Sequence, residues 1–164
     1  MICRPQHAVY GGAFDPPTFG HINLILRASR LFDVLSVGVG HNFNKVSMFT
    51  AQERMHLLRE SLQDCDNVRI CSYDGLLVDF CRSQGAQVII RGLRAIGDFE
   101  YEFQMGLANK DLAPEIETLF LIAAVDKLFL SSSVVKEIAR CGRDIRQYVP
   151  ACVADAVEAK IAKR

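Results

Sequence analysis

The stretch HAVYGGAFDPPTFGHINLILRASRLF, residues 7–32, contains a complete strand–loop–helix unit. Its first part, residues 7–12, is a short apolar run that predicts a buried strand. Its last part, residues 21–32, places apolar side chains three and four positions apart and predicts a helix. Because the connecting loop is short, the unit predicts a fold built from alternating strands and helices.

The same alternation continues along the chain. Further short apolar runs predict strands at 34–40, 68–73, 87–92 and 118–124. Helical patterns lie at 50–62, 76–84, 98–112, 132–140 and 150–162. Thr50 and Glu53 have the spacing of a capping box, which marks the start of a helix. The order predicts an α/β fold with a doubly wound, mainly parallel, Rossmann-like sheet, in a single domain over 1–164 that ends in a C-terminal helix.

Composition limits the classes of function. Lys plus Arg and Asp plus Glu number 19 each, so the formal net charge is zero. Nucleic-acid and anionic-membrane binders normally carry a basic excess, and neither partner is expected here. The six cysteines are scattered without a CxxC pair, and the histidines lack metal-ligand spacing. We therefore expect a cytoplasmic protein with reduced thiols and no protein-bound metal.

The loop YGGAFDPPTFGH, residues 10–21, is the first candidate site. Its glycines let the backbone turn sharply and approach a ligand, and its prolines stiffen the loop. His21 follows in the first turn of the predicted helix, where free amides and the helix dipole favour a phosphate. The alternative is a rigid loop with a solvent-exposed histidine.

The segment IIRGLRAIGDFEYEFQ, residues 89–104, is the second candidate site. Arg91 and Arg94 flank Gly92 at the end of a predicted strand, and two guanidinium groups around a glycine turn favour phosphate binding. The alternative is that these arginines pair with the acidic residues that begin the next helix, Asp98, Glu100 and Glu102.

Two shorter stretches complete the candidates. FLSSSVVKEIAR, residues 129–140, begins a helix with consecutive serines, which supply hydroxyl caps and exposed amides. NFNKVSMFT, residues 42–50, holds Lys45 in a polar loop before a capped helix. By themselves these features also fit an ordinary capped helix and a solvated lysine.

Together these stretches resemble a known family. GAFDPPTFGH is similar to the TxGH signature of the nucleotidyltransferase superfamily. The segment 89–104 resembles phosphopantetheine adenylyltransferases, and 129–140 resembles the second nucleotide signature of that superfamily. The matches run in family order from residue 8 to about 140. The resemblance implies transfer of the adenylyl group of ATP to 4′-phosphopantetheine, which gives dephospho-coenzyme A and pyrophosphate.

The resemblance also implies site residues. His21 is implied as a transition-state stabiliser, with Lys45 and Arg91 beside it. The 4′-phosphopantetheine site is implied at Ala13, Lys45, Leu77 and Arg91. The ATP site is implied at Ala13, Phe14, His21, Gly92, Leu93, Arg94, Glu102, Lys127, Leu128, Phe129, Leu130, Ser131, Ser132 and Ser133. Further implications are Mg²⁺ carried with ATP, coenzyme A as a feedback ligand, and a homohexamer.

Two positions depart from the family pattern. Ala13 stands where the family has Thr or Ser, so one hydroxyl donor near the phosphates is missing. Lys127 and Leu128 stand where an aromatic residue and a serine are expected, which affects contacts to adenine.

Two rival functions remain open. A nicotinate-mononucleotide adenylyltransferase has a similar glycine- and proline-rich loop, although the segment 89–104 argues against it. A nucleotide-binding sensor of low activity would explain Ala13 and Lys127.

The adenylyl transfer that the resemblance implies needs no general base, because the attacking group is a phosphate oxygen that is already anionic.

Overall fold

The strands of the predicted alternation form one parallel sheet. The computed structural model describes residues 7–40, 46–94, 96–124 and 131–162, without the side chains of 96 and 97. Within these ranges the strands are β1 His7–Gly12, β2 Val34–Gly40, β3 Val68–Tyr73, β4 Val88–Leu93 and β5 Glu117–Ile122. The helices are α1 Phe19–Ser29, α2 Ala51–Ser61, α3 Leu77–Ser83, α4 Ile96–Leu112, α5 Ser132–Arg140 and α6 Ala151–Ala162.

The strand order in the sheet is β3-β2-β1-β4-β5, and every neighbouring pair is parallel. The chain winds outward from β1 to one edge and then crosses to β4 on the other side. In a doubly wound sheet of this kind, the crevice for ligands lies at the carboxyl ends of the strands where the winding reverses. Here that point is between β1 and β4, so the predicted α/β doubly wound fold is confirmed.

Alternate residues of the strands explain why both faces of the sheet are covered. Ala8 and Tyr10 of β1 join a core cluster with residues of α1 and α2. Val9, between them, faces the other side and packs with Val78 of α3 and Ile116. Because both faces are buried, the strands are nearly continuous in apolar character.

A third apolar cluster joins the C-terminal helices to α2. Val153 and Val157 of α6 are fully buried together with Val135 of α5 and Leu57 of α2. The C-terminal helix therefore packs on other helices, one layer away from the sheet. Within the described ranges, no helix has the length and apolar character needed to cross a membrane.

Strands β1, β2 and β3 and helix α5 have the predicted bounds, and the other elements differ from prediction by one to three residues at one or both ends. Helix α1 begins at Phe19, two residues earlier than predicted, because Thr18 caps it. Strands β4 and β5 run from the pair Val88 with Glu117 to the pair Leu93 with Ile122, since each strand extends only as far as its partner. The predicted capping box of Thr50 and Glu53 is present.

Candidate active site

A cavity of about 140 Å³ opens at the carboxyl ends of β1 and β4. Its lining residues come from segments far apart in the sequence: Tyr10, Gly11, Gly12, Thr18, Gly20, His21, Leu24, Arg91, Gly92, Arg94, Glu102 and Ala123. The glycine-rich loop and the arginine segment thus border one space. This is the arrangement on which the phosphate-binding hypothesis depends.

His21 is fixed by the helix that it begins. Thr18 is the N-cap of α1, and its backbone amide donates to Nδ1 of His21 over 3.0 Å. The backbone amide of His21 in turn donates to Oγ1 of Thr18 over 3.4 Å. This is a capping box in which histidine stands where Glu or Gln is usual. Because Nδ1 accepts a hydrogen bond from an amide, the neutral ring carries its proton on Nε2.

Burial and charge keep that imidazole neutral. Burial, and then the nearby Arg94 guanidinium, lower the pKa of His21 from 6.5 to about 4. The ring of Phe14 packs edge-on against it, with ring centroids 5.1 Å apart. At neutral pH the side chain is therefore an oriented hydrogen-bond donor on the wall of the cavity.

Phe14 supports the ring from a strained backbone. Its φ is +49°, in the left-handed region that side chains rarely adopt. Its own side chain is almost fully buried and also packs edge-on against Tyr10, at 5.5 Å between ring centroids. Packing on two rings holds this conformation, and strain of this kind is concentrated at functional sites.

Arg91 is held in a fork by Glu102. Its Nε donates to Oε2 over 2.7 Å and its Nη2 donates to Oε1 over 2.6 Å. Its Nη1 donates to the carbonyl of Gly11 over 3.0 Å, which joins β4 to the glycine loop. Burial disfavours the charged form, but the bonds and charge of Glu102 outweigh it and raise the pKa of Arg91. Three of the five guanidinium N–H groups are used in this way.

Arg94 is paired with Asp98, one turn further along the chain, at 3.2 Å. Both cavity arginines therefore have carboxylate partners, as the alternative interpretation of 89–104 expected, and Glu100 is exposed. Tyr10 lies beside them, and its burial raises the pKa of the phenol to about 12, against the opposing effect of the arginines. The cavity wall thus combines protonated donors of fixed orientation with two paired guanidinium groups.

The other predicted site residues lie at different distances from this cavity. Ala13 is exposed and Phe14 is behind the imidazole, and neither lines the cavity. Leu77 packs beneath Gly11, where an added Cβ would clash with Cδ1 of Leu77. Leu93, next to the lining residue Gly92, ends β4. Lys45, Lys127, Leu128, Phe129 and Leu130 lie outside the described residues.

The serine segment serves partly as structure. Ser131 is the N-cap of α5, and its Oγ accepts from the amide of Val134 over 3.2 Å. The hydroxyl of Ser132 donates to the carbonyl of Pro16 over 2.7 Å. Ser133 is exposed. A hydroxyl cap is thus present at Ser131, and the hydroxyl of Ser132 joins α5 to the glycine- and proline-rich loop.

Sequence reasoning missed a buried arginine behind this loop. Arg54 of α2 is 1% exposed, and its Nη1 donates to the carbonyls of Ala13 over 2.6 Å and Gly40 over 3.0 Å. Its Nε donates to the carbonyl of Thr50 over 3.3 Å. Burial lowers the pKa of Arg54, and the charge of Asp15 opposes this effect. The only sign of this role in the sequence is that Arg54 lies beside the apolar residues of α2 that are buried.

The carboxylates near the cavity are occupied by protein donors. Glu102 and Asp98 pair with arginines, and Asp15 pairs with Lys136. Over the described ranges, no group of three or more His, Cys, Asp or Glu side chains is arranged to hold a metal ion.

Comparisons with known proteins show the family of this chain. A family model described as cytidylyltransferase-like matches residues 9–138. The phosphopantetheine adenylyltransferase of Syntrophotalea carbinolica is 47% identical over 153 residues, covering 93% of this chain and 92% of the relative. That of Azoarcus sp. is 46% identical, covering 98% and 99%. That of Dictyoglomus thermophilum is 51% identical, covering 90% of each.

A solved structure agrees with the fold. The crystal structure of a candidate nicotinate-nucleotide adenylyltransferase from Vibrio parahaemolyticus matches this chain with a TM-score of 0.68. The match covers 92% of this chain and 90% of the other, at 20% sequence identity. At that identity the likeness concerns the fold and leaves the acceptor substrate open.

Proposed function

Since this chain belongs to the phosphopantetheine adenylyltransferase family, we propose that it transfers the adenylyl group of ATP to 4′-phosphopantetheine. The products are dephospho-coenzyme A and pyrophosphate, in the synthesis of coenzyme A. The observation that carries the proposal is the neutral, oriented imidazole of His21 on the wall of a cavity shared with Arg91 and Arg94.

The chemistry follows from what this cavity supplies. A phosphate oxygen of 4′-phosphopantetheine attacks the α-phosphorus of ATP, forming one O–P bond. The bond from the α-phosphorus to the bridging oxygen breaks, and the electron pair leaves with pyrophosphate. No proton has to be removed from the nucleophile, so the protein's task is to bring anions together and to stabilise charge on the α-phosphate.

His21 acts as the donor at that phosphate. Its Nε2–H contributes a hydrogen bond that strengthens as negative charge builds on the oxygen. Arg91, held by Glu102 and by the Gly11 carbonyl, provides fixed positive charge beside it, and Lys45 completes this set in our proposal. Arg94 and the segment Lys127 to Ser133 are assigned to the β- and γ-phosphates and the adenine side.

We assign Mg²⁺ to the ATP phosphates and water, because the neighbouring carboxylates are already paired with arginines and a lysine. When bound, Mg²⁺ neutralises part of the phosphate charge. Coenzyme A contains the pantetheine and adenylate parts of the product, so we propose that it binds this cavity as a feedback ligand. The free thiols Cys65, Cys71, Cys81, Cys141 and Cys152 support a cytoplasmic location, where thiols stay reduced.

A homohexamer is also part of the proposal, and an exposed apolar surface supports self-association. On α4, Tyr101 and Leu107 are 61% and 57% exposed, and Ile122 of the edge strand β5 is 70% exposed. Unpaired edge strands with apolar side chains are normally covered in functional proteins. Light scattering tests this: the hexamer has six times the 18.3 kDa of one chain, and Tyr101→Glu with Leu107→Glu should lower that mass.

The direct test of function is pyrophosphate release from ATP with 4′-phosphopantetheine as acceptor, compared with nicotinate mononucleotide. We expect turnover only with 4′-phosphopantetheine. Turnover only with nicotinate mononucleotide would assign the chain to the rival enzyme. ATP binding by calorimetry without turnover on either acceptor would instead favour the nucleotide sensor.

A further inference from the structure

Asp15 joins three segments that border the two halves of the proposed active site. It lies in the loop between β1 and α1 and is only 6% exposed. Its Oδ2 accepts from the backbone amide of Met48 and its Oδ1 from that of Phe49, each over 2.9 Å. Oδ2 also accepts from Nζ of Lys136 of α5 over 2.8 Å. We call these four residues the Asp15 junction.

The Asp15 junction is a buried ion pair with specific geometry. The side chains of Lys136 and Asp15 are 16% and 7% exposed. Both carboxylate oxygens have donors, so the charge is satisfied by two amides and one ammonium group. Burying such a pair gives little net stability compared with apolar packing, which favours a role in positioning.

The segments that meet there belong to different substrates in the proposed function. Met48 and Phe49 follow Lys45, which we assign to the acceptor side. Lys136 lies in α5, one turn after the serines assigned to the triphosphate, and the Ser132 hydroxyl adds a second bond from α5 to this loop at Pro16. A ligand phosphate held by α5 is therefore set in position relative to His21 through Lys136 and Asp15.

We propose that Lys136 and Asp15 are positioning residues that align the nucleotide-binding helix α5 and the acceptor segment on the glycine-rich loop. This inference rests on the proposed function. Lys136 affects only the connection to α5, because the two amide bonds of Asp15 do not involve it. Asp15 affects both connections, since replacing one of its oxygens also removes an acceptor for an amide.

The two residues therefore have different kinetic signatures. Lys136→Met should raise the KM for ATP by about fivefold or more, because ATP loses joint contact with α5 and the loop, while the KM for 4′-phosphopantetheine changes less than about twofold. Asp15→Asn should raise both KM values. Lys136→Arg keeps the charge and should restore most of the ATP affinity.

Lys110→Met is the matched control. Lys110 of α4 pairs with Glu117 and donates to the carbonyl of Pro114, and the side chains of this ion pair are 47% and 65% exposed. Lys110→Met should leave both KM values unchanged. Equal increases in both KM values for Lys136→Met, or no increase in either, would overturn the proposal, as would Lys136→Arg behaving like Lys136→Met.

Calorimetry with α,β-methylene-ATP separates this proposal from the proposed function, because it measures nucleotide binding without an acceptor. Weakened binding in Lys136→Met and recovery in Lys136→Arg support the positioning role even if wild type fails to turn over. If Lys136→Met does not fold, the affinity for the analogue is compared between wild type and the folded variants Lys136→Arg and Asp15→Asn. The positioning role is refuted if Asp15→Asn binds the analogue as tightly as wild type does.

Discussion

The backbone amide of Thr18 donates to Nδ1 of His21 over 3.0 Å, so the same capping box that starts α1 also fixes the tautomer of the proposed catalytic imidazole. Helix initiation and catalytic orientation are thus one local structure. The chain contains a second capping box, Thr50 with Glu53 at the start of α2, which does not line the cavity. Comparing the two capping boxes therefore separates the effect of a helix cap on stability from its effect on catalysis.

Thr18→Ala and Thr50→Ala should each lower the free energy of unfolding by about 1–2 kcal/mol, because each removes a helix cap. Only Thr18→Ala should also lower kcat, because it removes the hydroxyl that lies 3.1 Å from Nδ1 of His21 and leaves the backbone amide as the remaining Thr18 partner of that nitrogen. Denaturant unfolding and pyrophosphate release measure the two effects. Equal kcat for the two variants would contradict the link between cap and catalysis.

His21→Ala should lower kcat by about 10²–10³ while ATP binding weakens far less, because the lost donor acts most strongly at the transition state. Steady-state kinetics combined with calorimetry of ATP binding checks the difference. Losses of the same size in binding and in turnover would show that His21 holds ground-state ATP instead.

Stability should fall on acidification through the same histidine. Since burial and Arg94 lower its pKa from 6.5 to about 4, the unfolded chain binds a proton between these pH values that the folded chain does not. Above pH 6.5 the histidine is neutral in both states and costs nothing. As the pH falls to 4, protonation of the unfolded chain lowers the free energy of unfolding, to a limit of about 3 kcal/mol.

The measurement is the free energy of unfolding between pH 4 and pH 7. His21→Asn should flatten this dependence, although a smaller slope remains because burial, with Arg69, also lowers the pKa of His7. An unchanged slope in His21→Asn would refute a neutral imidazole at this position in the folded chain.

Arg54→Met should lower the free energy of unfolding by about 2–4 kcal/mol, because it leaves the carbonyls of Ala13 and Gly40 without their buried donor. Activity should fall as well, since these carbonyls set the loop and the end of β2. Arg59→Met on the same helix is the control: its single bond to the carbonyl of Ile70, at 3.3 Å, is exposed. Thermal unfolding and turnover of both variants test the difference.

Ala13→Thr should preserve activity or raise it by up to about tenfold, as an added hydroxyl supplies one more donor near the phosphates. The side chain of Ala13 is exposed, so a threonine fits without disturbing the carbonyl held by Arg54. A well-folded variant with no turnover would count against the placement of this loop at the phosphates.

Local sequence patterns predicted the secondary structure and most of the segments that meet in the cavity. Strands β1, β2 and β3 and helix α5 have the predicted bounds. These patterns succeed because apolar periodicity reports which face of an element is buried. The sequence leaves the pairing of Arg91 with Glu102 open, because a guanidinium group can bind either a carboxylate or a phosphate.

The sequence by itself determined the alternation of strands and helices and the family resemblance, because both are written in residues close together along the chain. Only the tertiary structure decided that Arg54, Asp15 and Lys136 connect the loop, α2 and α5, since these contacts join residues up to 121 positions apart. It also decided the protonation of His21, because a pKa depends on burial and on charges brought near by folding.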